Sequence, residues 1–475
     1  MPEFSSSHLA RWSRGHWRGS PPLSFSSVST DTRTIQPGAL FVALRGENFD
    51  GHNFIAEAFA RGAIAGVVDT VHSLSTDAPL LVVENTRRAL LDIAAGHRAT
   101  LPMPTIAVTG SAGKTTAKEM IADILATAAP TARTRGNWNN DIGLPLSILA
   151  AEPSQKFGVF EVGMNHPGEL EPLCKILKPA VGIVTSVGPV HLEFFGDEQA
   201  IAEEKASVFR ALKKSGRAIL CRDEKWFDVL RASAKCRVIT TSLRGGADYV
   251  ADIRRDGSLK FSVTEKSSRE AFEFTAPFPG DFIVHDALLA IAAGRHLGIE
   301  WPQIVSAIAK YQAPPMRWQL EEHGGIIFIK DCYNANPLSM KAALGAFAAM
   351  SIPGKKFAVL GGMRELGPTE REQHEEVGRA AARPEIDNIV AIGEHGGWIA
   401  DGAESGTGVA SRPRIHRLAD VFVAAEFLTA NAAAGDAILL KASRGEKLER
   451  VLERWLSLNI DRLATLKPNE QVVQK

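Results

Sequence analysis

Apolar and polar positions between Pro37 and Val68 follow the order strand, polar glycine-rich loop, helix and strand. Apolar runs of strand length on both sides of an amphipathic helix predict a small α/β unit. Pro102 and Pro104 end this pattern at about the length of one compact domain. We therefore predict a first domain at residues 1-103.

A second unit begins with the predicted strand Thr105–Thr109, which leads through a glycine-containing loop into a helix with one apolar face. The residues of that face are Met120, Ile121, Ile124 and Leu125. The later runs FGVFEVG, VGIVTSVG and RAILC alternate with helical segments, which predicts a parallel sheet covered by helices. Alternation from Ala247 to Phe274 around the turn signal Asp256-Gly257 predicts antiparallel strands that extend the sheet. We assign residues 104-313 to this domain.

A third unit, residues 314-475, begins within the sequence APP and repeats the alternation of strands and helices. The predicted strands contain IIFI, FAVLGG, NIVAIG and AILLKAS, and the predicted helices include SMKAALGAFAAM and LADVFVAAEFLTANAAA. The last helix, around KLERVLERWLSL, has partial heptad spacing, which we interpret as a surface helix on its own sheet rather than a coiled coil. The expected fold is α/β with three domains, a central parallel sheet and a Rossmann-like C-terminal domain.

The charge balance argues against a global attraction to polyanions, because Lys plus Arg and Asp plus Glu both total 54. We therefore expect no nucleic acid and no membrane as partner. Hydrophobic residues make up 45% of the 475 residues, which is enough for several domain cores. No apolar stretch approaches the roughly 20 residues that span a bilayer, and the N-terminus lacks the apolar core of a signal peptide.

The cysteines lie far apart, without the close spacing of a zinc or redox motif, which favours a reducing cytoplasm. They are Cys174, Cys221, Cys236 and Cys332. We expect a cytoplasmic monomer. The first 20 residues carry Arg11, Arg14 and Arg18, and we expect them to form a frayed, solvated terminus.

The sequence TGSAGKTT at positions 109–116 lies between a predicted strand and a predicted helix. It fails the common phosphate-loop pattern GxxxxGK[ST], because Val108 occupies the position of the first glycine. Its glycines, lysine and threonine nevertheless lie where backbone amides and a helix N-terminus bind phosphates. The alternative is a glycine-rich turn with a solvated lysine. The predicted nucleotide contacts are Thr109, Gly110, Ser111, Ala112, Gly113, Lys114, Thr115 and Thr116.

Together with this loop, several stretches in the same order resemble the Mur ligase family, whose members couple ATP cleavage to amide-bond formation. They are TDTRTIQPGALFVALRGENFDGHNFIAEAFARGA, GNWNNDIGLPLSIL, FEVGMNHPGEL, VTSVGPVHLEFFG and DCYNANPLSMKAAL. The first resembles the family's N-terminal uridine-nucleotide domain. YNANP, MRELG and KASRGEKLE are similar to members that add D-alanyl-D-alanine to UDP-N-acetylmuramoyl-tripeptide in peptidoglycan precursor synthesis. The resemblance thus implies those two substrates, with ATP and Mg²⁺.

The resemblance also implies a catalytic centre in the central domain. Lys114 would neutralise the outer phosphates and Thr115 would bind Mg²⁺, with Glu161 and His191 as further metal ligands. Lys205 would carry a carbamate formed with CO₂, which turns a cationic side chain into an anionic metal ligand and requires a lowered pKa. Without the resemblance, a strand-end carboxylate in solvent, a structural histidine and a salt-bridged helix lysine explain the last three residues equally well.

Arg317 is implied as the interdomain cation that stabilises charge on the γ-phosphate and the acyl phosphate. Asn334 and Asn336 are implied as nucleotide contacts; otherwise they are turn residues ahead of Pro337. The implied substrate contacts are Lys441, Ser443 and Arg444 for the dipeptide and its carboxylate, and Thr32, Arg33 and His52 for the uridine diphosphate.

In the implied reaction, the terminal carboxylate of the tripeptide attacks the γ-phosphate, and the dipeptide amine then displaces phosphate from the acyl phosphate. Domain closure would exclude water from that intermediate. Three positions depart from the family pattern. Gly362 replaces an acidic residue, Asp286 replaces an asparagine beside the apolar Phe282 and Ile283, and Ala442 replaces a glycine.

Three alternatives remain open at the level of sequence. The first is a related ligase that adds the third-position diamino acid to UDP-N-acetylmuramoyl-dipeptide, or glutamate to folate. The second is a P-loop kinase or NTPase, and the third is a nucleotide-binding protein without turnover. YNANP and the uridine-nucleotide-like first domain argue against the first alternative. Phosphate release that depends on D-alanyl-D-alanine distinguishes the predicted ligase from an NTPase, and a protein without turnover should keep its biological role in a Lys114→Ala variant.

Overall fold

The computed structural model describes residues 3–69, 77–256, 258–406, 413–460 and 463 of the chain. Three main sheets follow one another along the sequence, which confirms the predicted α/β fold with three domains. Within these ranges, none of the helices combines the length and the apolar composition that crossing a bilayer requires.

The N-terminal part contains a five-stranded sheet and two small strand pairs. Its elements are β1 Phe4–Ser5, α1 Ser6–Ser13, β2 His16–Arg18, β3 Ser24–Phe25, β4 Ser27–Ser29, β5 Ala39–Val42, β6 Arg45–Gly46, β7 Phe49–Asp50, α2 Ile55–Ala60, β8 Ala63–Val68, β9 Leu80–Val82 and α3 Thr86–Thr100. The sheet order is β2-β9-β8-β5-β4, and only the edge strand β2 runs antiparallel to its neighbour.

The prediction of a frayed terminus in the first 20 residues is wrong. Leu9 of α1 is fully buried, and β2 is hydrogen-bonded into the sheet. The Trp17 indole donates to the Ser6 carbonyl at 3.0 Å, and the ring of Trp12 lies against Gly96 of α3. The arginines of this segment point to solvent while its leucine and tryptophans provide apolar contacts, so a basic composition concealed an amphipathic pattern.

The central part is built on a nine-stranded sheet. Its elements are β10 Thr105–Thr109, α4 Lys114–Ala126, β11 Thr131–Arg133, α5 Gly143–Leu149, β12 Phe157–Glu161, α6 Leu170–Leu177, β13 Val181–Val184, α7 Leu192–Phe195, α8 Glu198–Lys205, α9 Ser207–Arg210, β14 Arg217–Cys221, α10 Phe227–Ser233, β15 Arg237–Ser242, β16 Tyr249–Asp256, β17 Ser258–Glu265, β18 Ala271–Thr275, α11 Asp281–His296 and α12 Trp301–Ala309.

The strand order of this sheet is β11-β12-β10-β13-β14-β15-β16-β17-β18. Pairing is parallel from β11 to β16, and the last two pairs are antiparallel as the sequence predicts. Gly257 of the predicted turn lies outside the described residues. The chain leaves β10 towards β11 on one side and returns to β13 on the other, so the carboxyl end of β10 is a switch point where α/β sheets bind ligands.

The C-terminal part has six strands in the order β19-β20-β24-β21-β22-β23, parallel except for β19. Its elements are β19 Gln319–His323, β20 Ile326–Lys330, α13 Pro337–Ala349, β21 Lys356–Leu360, α14 Glu370–Ala381, β22 Asn388–Ile392, α15 Gly393–Ser405, β23 Arg414–Leu418, α16 Val421–Asn431, β24 Ala437–Lys441 and α17 Glu449–Leu458. Trp455 of α17 packs on Phe328 of β20 with ring centroids 5.0 Å apart, which confirms the interpretation of the last helix.

Candidate active site

The loop 110–113 connects the carboxyl end of β10 to the start of α4. Gly110 and Gly113 adopt positive φ values of 153° and 82°, and a Cβ on Gly110 would lie 1.9 Å from the Thr185 hydroxyl oxygen. The Lys114 ammonium donates to the Gly110 carbonyl at 2.6 Å and so lies folded over the loop. No side chain caps the first turn of α4, which leaves this helix end suited to an anion such as phosphate.

Glu161 is the last residue of β12 and is almost fully buried, so it does not face solvent. One carboxylate oxygen accepts from the Thr115 hydroxyl at 3.0 Å, and the other accepts from the Asn139 amide at 2.7 Å. The backbone N–H of Glu161 donates to the Thr134 hydroxyl at 2.9 Å. These bonds hold the carboxylate beside the start of α4, next to the place where phosphates would bind.

The pair of Thr115 and Glu161 fits a nucleotide-bound Mg²⁺, which prefers oxygen ligands and takes only one or two carboxylates from the protein. In the part of the chain that the structure describes, no group of three or more His, Cys, Asp and Glu side chains is arranged as a metal cage. A divalent ion here would therefore depend on phosphate oxygens and water for its remaining ligands.

Lys205 ends α8 and is only 2% exposed. Burial lowers its pKa well below the ordinary lysine value, the Lys114 cation adds to this shift, and Glu204 opposes it. The Glu204 carboxylate accepts from the backbone N–H groups of Gly168 and Leu170 at 3.0 and 2.9 Å, so it is directed away from the lysine. The salt-bridged alternative is not observed, and the amine is in the environment that carbamate formation requires.

His191 precedes α7 and adopts a left-handed backbone conformation with φ 53°. Its Nδ1 is hydrogen-bonded to the carboxylate of Glu365, which belongs to the C-terminal part of the chain. This contact was not predicted from the sequence, since 174 positions separate the two residues.

Many predicted site residues converge on one cavity of about 790 Å³, between α3, the ends of the central strands and the segment after β20. They are Thr109, Gly110, Lys114, Glu161, His191, Lys205, Arg317 and Asn334. Burial lowers the pKa of Lys114; the Glu161 carboxylate opposes that shift and the Arg317 guanidinium adds to it. Lys114 and Arg317 thus provide positive charge at one wall of the cavity, and Glu161 provides a carboxylate there.

A second cavity of about 560 Å³ lies on the other side of the loop. The predicted residues that line it are Ser111, Ala112, Gly113, Lys114, Thr115, Thr116, Arg317, Asn334, Asn336 and Lys441. Lys114, Arg317 and Asn334 line both cavities, so the two spaces meet at the loop. A nucleotide in one and an acidic substrate in the other would meet at Lys114.

Arg317 lies in the segment between α12 and β19, flanked by Met316 and Trp318, both in the left-handed region with φ 59° and 55°. Its guanidinium carbon lies 4.4 Å from the ring centroid of Tyr333, a cation–π contact with the C-terminal part. Asn336 caps α13 and donates to the Ser111 carbonyl at 3.2 Å. Two side chains thus tie the C-terminal part to the phosphate loop.

The three predicted dipeptide contacts are not grouped. Lys441 is buried at the end of β24, where its ammonium donates to Asp331 at 2.7 Å. The Ser443 hydroxyl donates to the Ala335 carbonyl at 3.3 Å. Arg444 is exposed and pairs with a neighbouring glutamate at 2.5 Å, outside both cavities.

The three predicted uridine-nucleotide contacts also lie outside both cavities as the structure describes them. The Thr32 hydroxyl donates to Glu57 at 3.2 Å, and Arg33 pairs with Asp31 at 2.6 Å on the surface. His52 is buried, with its two ring nitrogens facing two aspartates at 2.6 and 3.1 Å. The geometry of His52 is that of a residue that stabilises its own loop.

The structure shows what surrounds Asp286, one of the three departures from the family pattern. The Asp286 carboxylate is buried 2.3 Å from the position of a Cβ on Gly113, and burial raises its pKa. His285 lies 3.6 Å from it; burial lowers the histidine pKa, but the contacts to Asp286 and Cys221 outweigh burial and raise it to about 10. The carboxylate at this position is therefore accompanied by a cation.

Gly362 lacks an acidic side chain, yet the Glu446 carboxylate lies 3.2 Å from the position of a Cβ there. Ala442, the third departure, is fully buried.

Sequence reasoning missed Asn139, Tyr333 and Glu365 as neighbours of the site. All three lie inside stretches that carry the family resemblance, GNWNN, YNANP and MRELG, which was the available signal.

Three family models match the chain. They are the Mur ligase family, catalytic domain, at residues 24–122, the Mur ligase middle domain at 108–294, and the Mur ligase, glutamate ligase domain at 316–444.

Curated relatives include UDP-N-acetylmuramoyl-tripeptide--D-alanyl-D-alanine ligase from Bacillus subtilis, 34% identical over 90% of this chain and 92% of the relative. The protein of the same name from Escherichia coli is 34% identical over 90% of this chain and 93% of its own length. Among solved structures, MurF from Acinetobacter baumannii has a TM-score of 0.87 at 29% identity, covering 96% of this chain and 99% of that one. MurF from Thermotoga maritima in complex with ADP has a TM-score of 0.79 at 28% identity, covering 92% and 98%.

Proposed function

The chain belongs to the Mur ligase family, and from this premise we propose that it joins D-alanyl-D-alanine to UDP-N-acetylmuramoyl-tripeptide in peptidoglycan precursor synthesis. It is an ATP-dependent amide ligase that releases ADP and phosphate. The observation that carries the proposal is the meeting of two cavities at Lys114, where a nucleotide and a carboxylate would come together.

ATP binds with its triphosphate on the loop 110–113 and the first turn of α4, where backbone N–H groups and the helix end favour negative charge. Lys114 neutralises charge that moves onto the leaving ADP. Thr115 and Glu161 would hold Mg²⁺, which supplies positive charge to the phosphate oxygens and reduces their repulsion of the attacking carboxylate. The 3.0 Å bond between these two side chains supports the assignment.

Lys205 carries a carbamate in this proposal. The neutral amine attacks the carbon of CO₂ and loses a proton, giving an anionic group that would serve with His191 as a ligand for a second Mg²⁺. Burial supplies the required neutral amine, because it lowers the pKa of Lys205.

The tripeptide carboxylate then attacks the γ-phosphate to form an acyl phosphate, and the dipeptide amine attacks the acyl carbon while phosphate leaves. Arg317, at the joint between the central and C-terminal parts, stabilises the charge on the transferred group. Asn334 and Asn336 contact the nucleotide side of the site. Closure of the parts around the cavities excludes water, which would otherwise hydrolyse the acyl phosphate.

Of the residues assigned to the dipeptide carboxylate, Lys441 lines a cavity, and Ser443 and Arg444 would approach it on domain closure. The uridine diphosphate is assigned to the N-terminal domain, with Thr32, Arg33 and His52 as its candidate contacts. The domains comprise residues 1-103, 104-313 and 314-475, each centred on one sheet. The protein acts as a monomer in the cytoplasm. The even charge balance supports a site that recognises its substrates locally.

The test is a ligation assay with ATP, Mg²⁺ and defined UDP-muramoyl peptides, with and without D-alanyl-D-alanine, followed by ADP release and mass spectrometry of the amide product. We expect phosphate release only when both the tripeptide and the dipeptide are present. Phosphate release that ignores the dipeptide indicates an NTPase. Ligation of a free diamino acid to the muramoyl dipeptide indicates the related ligase.

A further inference from the structure

Glu365 reaches across from the C-terminal part to the proposed metal histidine. Its side-chain carboxylate is hydrogen-bonded to Nδ1 of His191, and its backbone carbonyl accepts from the Glu193 N–H at 3.3 Å. His191 is only 20% exposed at this contact. The side chain and the backbone of Glu365 therefore both contact the segment 191–193 of the central part.

The segment that carries Glu365 is fixed to its own domain on both sides. The Met363 N–H donates to Nε2 of the buried His374 at 2.8 Å, and Nδ1 of the same ring is bonded to a backbone carbonyl at 2.6 Å. Arg364 donates to Glu446 at 2.9 Å. Because the segment is held at its base, the Glu365 carboxylate is presented by the C-terminal part as a rigid group.

Both partners of the contact have unusual backbone angles. His191 has φ 53° and Glu365 has φ 64°, in the left-handed region that side-chain-bearing residues seldom adopt. Gly367, with φ 57°, packs against Glu193 at the edge of the same contact. Such conformations persist where surrounding contacts enforce them, and they concentrate at functional sites.

A hydrogen bond at Nδ1 decides which nitrogen of His191 can bind a metal. A carboxylate acceptor keeps the proton on Nδ1 and leaves the lone pair on Nε2, and metal-binding histidines almost always donate their other ring N–H to such an acceptor, to a backbone carbonyl or to water. Among the residues that the structure describes, Nε2 has no hydrogen-bond partner, and His191 lines the cavity that also contains Glu161 and Lys205.

We propose that Glu365 is a positioning residue that fixes the tautomer and ring orientation of His191 for metal binding, and that it does so only when the C-terminal and central parts meet. The inference rests on the proposed function, because it takes His191 as a metal ligand. The metal site is then completed by a group from a different domain, so that domain closure and tight metal binding depend on each other.

The test measures metal binding without turnover. Mn²⁺ is titrated into the full-length protein with a non-hydrolysable ATP analogue and UDP-N-acetylmuramoyl-tripeptide but no dipeptide, and free Mn²⁺ is followed by electron paramagnetic resonance. We expect Glu365→Ala to weaken Mn²⁺ binding about 10- to 100-fold. Glu365→Gln, which keeps an acceptor but not the charge, should lose less. Glu193→Gln, an exposed carboxylate on the same segment as His191, is the matched control and should leave affinity within about twofold of wild type.

A double-variant comparison separates positioning from general stability. In the His191→Ala background, Glu365→Ala should cause no further loss of Mn²⁺ affinity, because the group that it orients is gone. Unchanged Mn²⁺ affinity in Glu365→Ala, or a full additional loss in the His191→Ala background, overturns the inference. Wild-type ligation is measured alongside. If wild type shows no dipeptide-dependent ligation, the proposed function fails instead, whatever the Mn²⁺ results.

Discussion

Replacement of Lys205 by methionine should make the protein more stable while it abolishes ligation. The lysine is 2% exposed, and burial is the main cause of its lowered pKa. Burial of a polar side chain typically costs about 1–3 kcal/mol in desolvation. Methionine has a similar unbranched shape and no polar group to desolvate. We therefore expect Lys205→Met to raise the free energy of unfolding by about 1–3 kcal/mol, or roughly 2–4 °C in apparent melting temperature per kcal/mol.

The pH dependence of this gain follows from the direction of the pKa shift. Burial lowers the pKa of Lys205 in the folded protein, and the lysine regains a value near 10.5 when the chain unfolds. Between those two values the unfolded chain binds the additional proton, so the stability of wild type rises with pH across that interval. The penalty that methionine removes is thus full below the folded pKa and vanishes towards the unfolded one. The gain should be larger near pH 7 than at about pH 9.5.

The assay is thermal and urea unfolding of both proteins in degassed, CO₂-free buffer without nucleotide or metal, at several pH values. The exposed Lys214 on the same domain supplies the control, since Lys214→Met should change stability little at any pH. A Lys205→Met protein that is less stable than wild type, or a gain that does not shrink as pH rises, would contradict a buried amine whose pKa burial lowers.

Three further outcomes are expected. Asn139→Ala removes the donor to one oxygen of the buried Glu161, so we expect a loss of about 1–3 kcal/mol in urea unfolding; no loss would mean that water replaces the amide. Asp286→Asn leaves His285 without its carboxylate partner, so the His285 pKa, which the contacts to Asp286 and Cys221 raise to about 10, should fall. An NMR titration of the His285 ring in both proteins checks this, and an unchanged pKa would contradict the pairing of the two side chains. Gly96→Ala should destabilise by about 1–3 kcal/mol, because its Cβ would lie 2.3 Å from the ring of Trp12. In a Trp12→Ala background the same change should stabilise, by up to ~1 kcal/mol as in an open helix, and unfolding titrations of the four proteins decide this.

The spacing of apolar and polar residues along the chain was sufficient to predict most of the fold. An apolar run predicts the strand Thr105–Thr109, and the helical spacing of apolar residues predicts the buried face of α4. Both features depend only on residues that are close together in sequence. The same logic failed for the first 20 residues, where three arginines masked the buried Leu9. A frayed terminus and an amphipathic helix have similar compositions in this segment, and they differ only in the spacing of the apolar residues.

The site was predictable where the family resemblance covers short, contiguous motifs, and not where domains meet. Glu161 and Lys205 were assigned from such motifs, and the structure places both beside Lys114 in one cavity. The partner of His191 was missed because Glu365 comes close only after two separate sheets have formed and packed together. Burial of Lys205 likewise depends on the folded chain, so its lowered pKa was a requirement of the hypothesis rather than a prediction from composition.

The aromatic rings around Arg317 and Trp318 come from two different parts of the chain. Trp318 packs with Phe278 and Phe282 of the central part, whereas Tyr333, whose ring lies over the guanidinium, follows β20 of the C-terminal part. Arg317 itself is half-buried, and aromatic rings from both the central and the C-terminal parts surround this segment. Under the role proposed for Arg317, its charge would therefore act most strongly on the transferred phosphate group when the central and C-terminal parts are packed together.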